Sequence, residues 1–272
     1  MINTKKLQQL FLKSQIHLKR YLLEYQKEYW KNDYRLGPSQ IQIGSTPRLL
    51  KNYSGSDCRH YNLIFAKYNI VPQHCFDCYK IVIEPRNVVE LFRLMIIFDE
   101  LDLPNDNSRK CMVEFRPEVS GYYKGLIYSY DLQETQKIFN RIKIVISEEI
   151  STYIPVSLKR GCERYTPLYP DFGKIDEDFK PVMEYPIEWK KLEDHAKKNN
   201  IGAHIDPISF DKYTDRWNSI EELNTHNALS MLYWIKYSAT IGDLSYLKLT
   251  NKTAPKFHNL KRPPYQNSEE EK

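Results

Sequence analysis

The alternation of apolar and polar residues is clearest between Tyr79 and Cys162. The run from Tyr79 to Glu84 alternates, is rich in β-branched residues and stops at Pro85, which predicts a strand. After it, apolar residues recur at helical spacing as far as Leu103. Asn87 precedes them as a good N-cap, so the pattern predicts a helix behind the first strand.

A hairpin and a second helix follow in the same stretch. Strands are predicted at 111–115, 122–130 and 155–160, with a turn at Ser120 and Gly121 and a helix that begins after Asp131. The order βαββαβ is typical of a ferredoxin-like fold with an antiparallel sheet, so the predicted class is α+β. One face of this sheet should pack on the helices through Ile81, Ile83, Val113, Phe115, Ile127, Val156 and Leu158.

The remaining chain is predicted to extend this core at both ends. Residues 1–36 hold an amphipathic helix with a basic face, which either docks on the core or contacts an anionic surface. Residues 37–78 form a loop segment with Cys and His, and residues 79–165 form the core. Residues 166–255 combine an extended loop with helices packed on the core, one of them opened by a capping box of Ser219 and Glu222. Residues 256–272 are expected to be a disordered tail.

Composition narrows the class of protein further. A hydrophobic fraction of 41% and an aromatic fraction of 13% favour a folded chain over a disordered one. The net charge of +5 permits an acidic partner without requiring one. The longest apolar run, at 94–98, is far too short for a membrane span, and Met1 to Leu23 lacks the apolar core of a signal peptide. We therefore expect a cytoplasmic protein in a reducing compartment.

The predicted fold places several of the cysteines near one another. Cys75 and Cys78 precede the first core strand, and Cys162 follows the fourth. These two strands are antiparallel neighbours in a ferredoxin-like sheet, so the start of one lies beside the end of the other. Cys58 lies upstream on a loop that can return to the same edge, so four thiols are predicted to converge.

Four converging thiolates match a structural zinc site, and they also match a [4Fe–4S] cluster. His60 and His74 are close enough in sequence to replace one cysteine ligand of zinc. The alternatives are ordinary buried thiols without a cofactor, as expected for Cys111, or a redox pair of Cys75 and Cys78. The redox reading is less favoured because the pair precedes a strand and not a helix N-terminus. The leading hypothesis is a zinc-binding protein with an accessory or binding role.

The other face of the sheet is predicted to be charged. It carries Glu84, Glu114, Arg116, Tyr122, Lys124, Tyr128, Tyr130 and Lys159. Ion pairs across neighbouring strands are the simplest explanation. Tyrosines and lysines on such a face also suit single-stranded nucleic acid, and Glu84, Arg116 and Lys124 suit an anionic small molecule bound by an enzyme. No sequence motif indicates a particular reaction, so no enzyme class is predicted.

Overall fold

Five antiparallel strands form one open sheet in the part of the chain that the computed structural model describes, residues 5–10, 12–13, 16, 48–51, 58–116, 119–199, 201, 219–222 and 225–250. The strands are β1 (Arg48–Lys51), β2 (Tyr79–Ile83), β3 (Arg109–Val113), β4 (Tyr123–Ser129) and β5 (Val156–Arg160). Their order across the sheet is β1-β3-β4-β2-β5. The predicted α+β class is therefore confirmed.

Helices flank this sheet and connect its strands. They are α1 (Arg59–Tyr68), α2 (Val88–Glu100), α3 (Leu132–Glu149), α4 (Trp189–Lys198), α5 (Thr225–Thr240) and α6 (Leu247–Thr250). Residues 5–10 are also helical, and Leu7 and Leu10 are buried in the main core. Most of the predicted N-terminal helix and the predicted tail at 256–272 lie outside the described residues. None of the described helices combines the length and the apolar character that crossing a bilayer requires.

The predicted caps of the two core helices are confirmed. The Asn87 side chain accepts a hydrogen bond from the Glu90 backbone N–H at 3.0 Å, and Asp131 accepts from Gln133 and Glu134 at 2.6 and 3.0 Å. The α2 helix is buried nearly all round, as expected of a helix between two layers. It lies between the sheet and α5, where the Phe92 and Trp234 ring centroids are 5.5 Å apart.

Two predicted boundaries are wrong. Strand β3 begins at Arg109, because the fully buried guanidinium donates to the Phe98 and Asn107 carbonyls and can remain inside. Phe115, predicted to face the helices, lies beyond the strand and is half exposed, with its ring edge against Tyr237.

The helix predicted to open at Ser219 begins at Thr225 instead. The capping-box residues close a single 3-10 turn, in which the Glu222 N–H donates to the Ser219 carbonyl at 3.1 Å. The turn is held by the Ile220 N–H, which donates to Asp99 Oδ2 at 3.1 Å. Strand β1 and helix α1 were not predicted from the sequence.

Asp243 fastens the C-terminal helices to the central layer. One carboxylate oxygen accepts hydrogen bonds from the Val88 N–H at 2.7 Å and from the Tyr123 hydroxyl at 2.6 Å. The other accepts from the Ser245 N–H at 2.9 Å. A carboxylate from a distant loop therefore serves the first turn of α2 and satisfies a fully buried tyrosine of β4.

Replacing Asp243 by Ala should lower the free energy of unfolding by about 3 kcal/mol, because a helix N–H and a buried hydroxyl both lose a charged acceptor. Tyr123→Phe should cost only about 1 kcal/mol, since it removes a single bond and leaves the cap intact. Urea unfolding monitored by circular dichroism measures both changes. A loss for Asp243→Ala no larger than that for Tyr123→Phe would contradict the double role of this carboxylate.

Candidate metal centre

The pairing of β2 with β5 brings Cys78 and Cys162 to one corner of the sheet. Tyr79 pairs with Arg160 at the end of the ladder. One step further, the Gly161 N–H donates to the Cys78 carbonyl at 2.7 Å. The prediction that the start of the first core strand meets the end of the fourth is confirmed.

Cys75 and Cys58 reach this corner from two other directions. Cys75 lies in a 3-10 turn at Gln73–Asp77, and the Cys78 N–H donates to its carbonyl at 3.4 Å. Its Sγ is 3.5 Å from the Tyr165 hydroxyl, which also lies 3.5 Å from Asn62 Oδ1 of α1. Cys58 is the N-cap residue of that helix.

An aromatic cluster encloses the corner. Its buried members are Val71, Cys75, Phe76, Tyr165 and Phe172, with Tyr61, Phe65, Cys162, Tyr169, Met183, Tyr185 and Trp189 packed around them. Many of these side chains come from the proline-containing segment after β5, which was predicted to be an extended loop on the core. This segment closes the corner from outside.

All five cysteines are free, and four of them interact electrostatically. The Cys58 thiol donates a hydrogen bond to the Cys162 sulfur. That bond lowers the pKa of Cys162 to about 6 against the opposing effect of burial, with help from the positive charges of Lys80 and Arg164. The same bond, together with burial, raises the pKa of Cys58. Burial raises the pKa of both Cys75 and Cys78 to about 12.

The side chains do not yet share a common centre. Among the described residues, no group of three or more His, Cys, Asp or Glu side chains is arranged to hold a metal ion. Cys111, by contrast, lies apart in the main core as a fully buried strand residue, as expected. The corner thus holds four neighbouring thiols that would have to rotate toward one another to bind an ion.

His60 and His74 line a cavity next to the corner. The cavity measures about 260 Å³, and its other lining residues are Tyr61, Gln73, Asp77, Glu193 and Lys197. The His74 ring stacks on Tyr61 with 4.8 Å between centroids. Both imidazoles therefore contribute to the wall of this cavity.

The charged sheet face is largely paired within itself. Glu84 pairs with Lys124, Glu114 with Arg116 at 2.8 Å, and Lys159 with Glu163 at 3.6 Å. Arg116 also reaches Glu163 at 3.5 Å, and Glu163 follows Cys162 directly, so this charged cluster extends to the cysteines. Tyr128 is half-buried on the same face, and Tyr122 and Tyr130 are exposed.

Sequence reasoning missed Lys80, Lys110, Glu163 and Tyr165 as neighbours of the thiols. Lys80 and Lys110 both act on the charge of Cys162, and Glu163 bonds Lys80 at 3.5 Å. No local spacing signals these contacts, because Lys80 and Lys110 lie on other strands and Lys159 and Glu163 do not share a helix.

Gly161 is the residue whose replacement tests the corner geometry. It has a φ of +61°, and a Cβ there would overlap the Phe172 ring, so Gly161→Ala should cost about 3 kcal/mol of unfolding free energy. Gly242→Ala is the matched control: its φ is +81° but nothing lies within 4 Å of the added carbon, so about 1 kcal/mol is expected. Chemical denaturation distinguishes the two, and equal losses would show that the corner accommodates a side chain.

Comparison of the chain with protein-family models, with curated proteins and with solved structures gives no match.

Proposed function

We propose that Cys58, Cys75, Cys78 and Cys162 bind a metal centre that stabilises this corner of the fold. A single zinc ion is favoured over an iron–sulfur cluster. The chain would then be a metal-binding protein with an accessory or binding role. The observation that carries the proposal is the meeting of four thiols from three separate segments, the start of α1, the turn before β2 and the turn after β5. Thiolates are the ligands that structural zinc prefers.

The close contact between the sulfurs favours one ion over a cluster. Cys58 and Cys162 are already in hydrogen-bond contact, and Tyr165 packs directly on Cys75. A cube of four iron and four sulfide ions would have to separate these side chains further than a single zinc ion with four sulfur ligands would. The donor set and the tight packing therefore support zinc.

A structural role follows from where the four residues lie. Metal bonds at this corner would tie the first turn of α1 to the ends of β2 and β5, which already pair along the ladder from Tyr79–Arg160 to Ile83–Val156. With four protein ligands, no coordination position stays open for a substrate. The bound metal would contribute folding free energy, because the unfolded chain has no preformed site.

We also infer that the core is ferredoxin-like. The strands and helices from β2 to β5 run βαββαβ, and their order β5-β2-β4-β3 with antiparallel neighbours supports this assignment. Strand β1 then extends the sheet beside β3 through the pairing of Leu49 with Cys111. The internal ion pairs of the charged face give no support to the nucleic-acid or enzyme alternatives.

Protein purified without chelator should contain about one zinc per chain by elemental analysis, and Cys78→Ser should lose most of it. The variant should be about 4 kcal/mol less stable than the wild type when free zinc is roughly a thousand times the wild-type dissociation constant. In excess chelator this difference should nearly vanish. Thermal or urea unfolding with and without zinc measures it.

Cys111→Ala is the matched control, since it removes the one thiol outside the corner and should keep the full zinc content. A brown colour, with absorbance in the visible range, would indicate that the bound metal is an iron–sulfur cluster and not zinc. Absence of any metal after loading, or equal zinc content in Cys78→Ser and wild type, would overturn the proposal.

Zinc binding should also release protons and tighten as pH rises. Burial raises the pKa of Cys75 and Cys78 to about 12, so these thiols are protonated near neutral pH and must be deprotonated to bind. Cys162, with a pKa of about 6, is the one thiol already ionised there. We expect about three protons per zinc at neutral pH. Titration of zinc into weakly buffered protein measures the number, and no proton release would exclude thiol coordination.

A further inference from the structure

Resting on the proposed zinc site, we infer that Tyr165 is a positioning residue whose hydroxyl donates a hydrogen bond to the Cys75 sulfur when that sulfur binds metal. The Tyr165 side chain is fully buried, and its oxygen lies 3.5 Å from Cys75 Sγ. Tyr165 would not bind the ion itself. It would act through the sulfur that does.

Tyr165 is connected to all three segments that supply the cysteines. Its backbone N–H donates to the Cys162 carbonyl at 3.2 Å, in the turn after β5. Its hydroxyl contacts Cys75 in the turn before β2 and donates to Asn62 Oδ1 at 3.5 Å. The Asn62 backbone N–H in turn donates to the Cys58 carbonyl at 2.9 Å, at the start of α1. One hydroxyl therefore lies where the three segments meet.

Ring contacts hold this hydroxyl in place. The Tyr165 ring centroid is 4.8 Å from that of Phe65 on α1 and 5.4 Å from that of Phe172, which follows β5. A buried hydroxyl needs partners inside the protein, because water cannot reach it. Within the described part of the chain, the hydrogen bonds of this hydroxyl go to the Cys75 sulfur and the Asn62 amide.

The single hydroxyl proton makes the contact sensitive to metal. In the metal-free protein it points to Asn62 Oδ1, so a protonated Cys75 thiol can donate to the phenol oxygen. A metal-bound Cys75 is a thiolate that can only accept, so the hydroxyl proton would turn to the sulfur. Asn62 can then donate to the phenol oxygen through its amide nitrogen, since a side-chain amide carries both a donor and an acceptor. The chain of hydrogen bonds would reverse its direction and leave none of the three groups unpaired.

A hydrogen bond to the thiolate favours the metal-bound state. Four thiolates around one zinc ion carry a net negative charge, which is unfavourable to bury unless donors share it. Hydrogen bonds with one ionised partner are stronger than neutral ones, so the Tyr165 hydroxyl stabilises the Cys75 thiolate more than the thiol. Removing a group that supports a metal ligand in this way weakens metal binding by roughly 10- to 100-fold.

The test compares zinc affinities by competition with a chromophoric chelator at fixed pH and salt. Tyr165→Phe keeps the ring and removes only the hydroxyl, and it should weaken zinc binding about tenfold. Tyr169→Phe is the matched control, because it removes a hydroxyl of the same aromatic cluster that donates to the Asn69 carbonyl instead of to a sulfur. The control should bind zinc as the wild type does.

Cobalt in place of zinc gives a readout that a merely structural role would not change. Cobalt(II) bound to thiolates has sulfur-to-metal charge-transfer absorption, and its energy falls as the sulfur becomes more electron-rich. Loss of the hydrogen bond should therefore shift this absorption of Tyr165→Phe to longer wavelength. Tyr169→Phe should keep the wild-type spectrum.

Wild-type zinc affinity in Tyr165→Phe would overturn this inference and leave the zinc site standing. Equal losses in Tyr165→Phe and Tyr169→Phe, or weaker binding with an unshifted cobalt spectrum, would overturn it too, by assigning the effect to packing. If the wild type binds no zinc after loading, the proposed function fails, and this inference fails with it.

Discussion

The corner that holds the thiols depends on the buried guanidinium of Arg160. It lies between the rings of Phe76 and Phe172, with its central carbon 4.8 and 5.1 Å from their centroids. Its Nε donates to the Phe172 carbonyl at 2.9 Å, and a terminal nitrogen donates to the Met183 carbonyl. A buried charge is tolerated only when such partners replace water. The Arg160 side chain at the end of β5 therefore holds two segments in place. These are the turn before β2 and the segment that follows β5.

This arrangement divides the hydrophobic interior into parts with different origins. The main core packs the sheet against α2, α3 and α5 through aliphatic side chains that follow regular periods. The aromatic cluster is assembled mostly from turns and loops. Its large rings bury more apolar surface per residue than aliphatic side chains would, which suits short segments. The four thiols lie at this second cluster, so their positions depend on tertiary contacts more than on any single element.

The same division explains what the sequence could predict. Periodicity and capping chemistry identified β2, α2, β4 and α3 because their burial follows from local pattern. Pairing of the first and fourth core strands then brought Cys78 beside Cys162. Strand β1 is only four residues long, and the placement of Cys58 depends on α1 packing against Tyr165, so neither follows from a local pattern. The carbonyl partners of Arg160 are backbone atoms that no residue type reveals.

The electrostatic character of the corner connects its two unusual features. Cys162 has a pKa lowered to about 6 by its hydrogen bond with Cys58, while burial raises the pKa of Cys75 and Cys78 to about 12. The protonated thiols are also neutral in the unfolded chain near neutral pH, so their raised pKa costs no folding free energy there. A dication bound there, as proposed, would let all four thiols ionise, because each thiolate would gain an opposite charge beside it. Folding, metal binding and proton release would then be coupled at one corner, because the thiols that burial keeps neutral are the ones that a bound ion would charge.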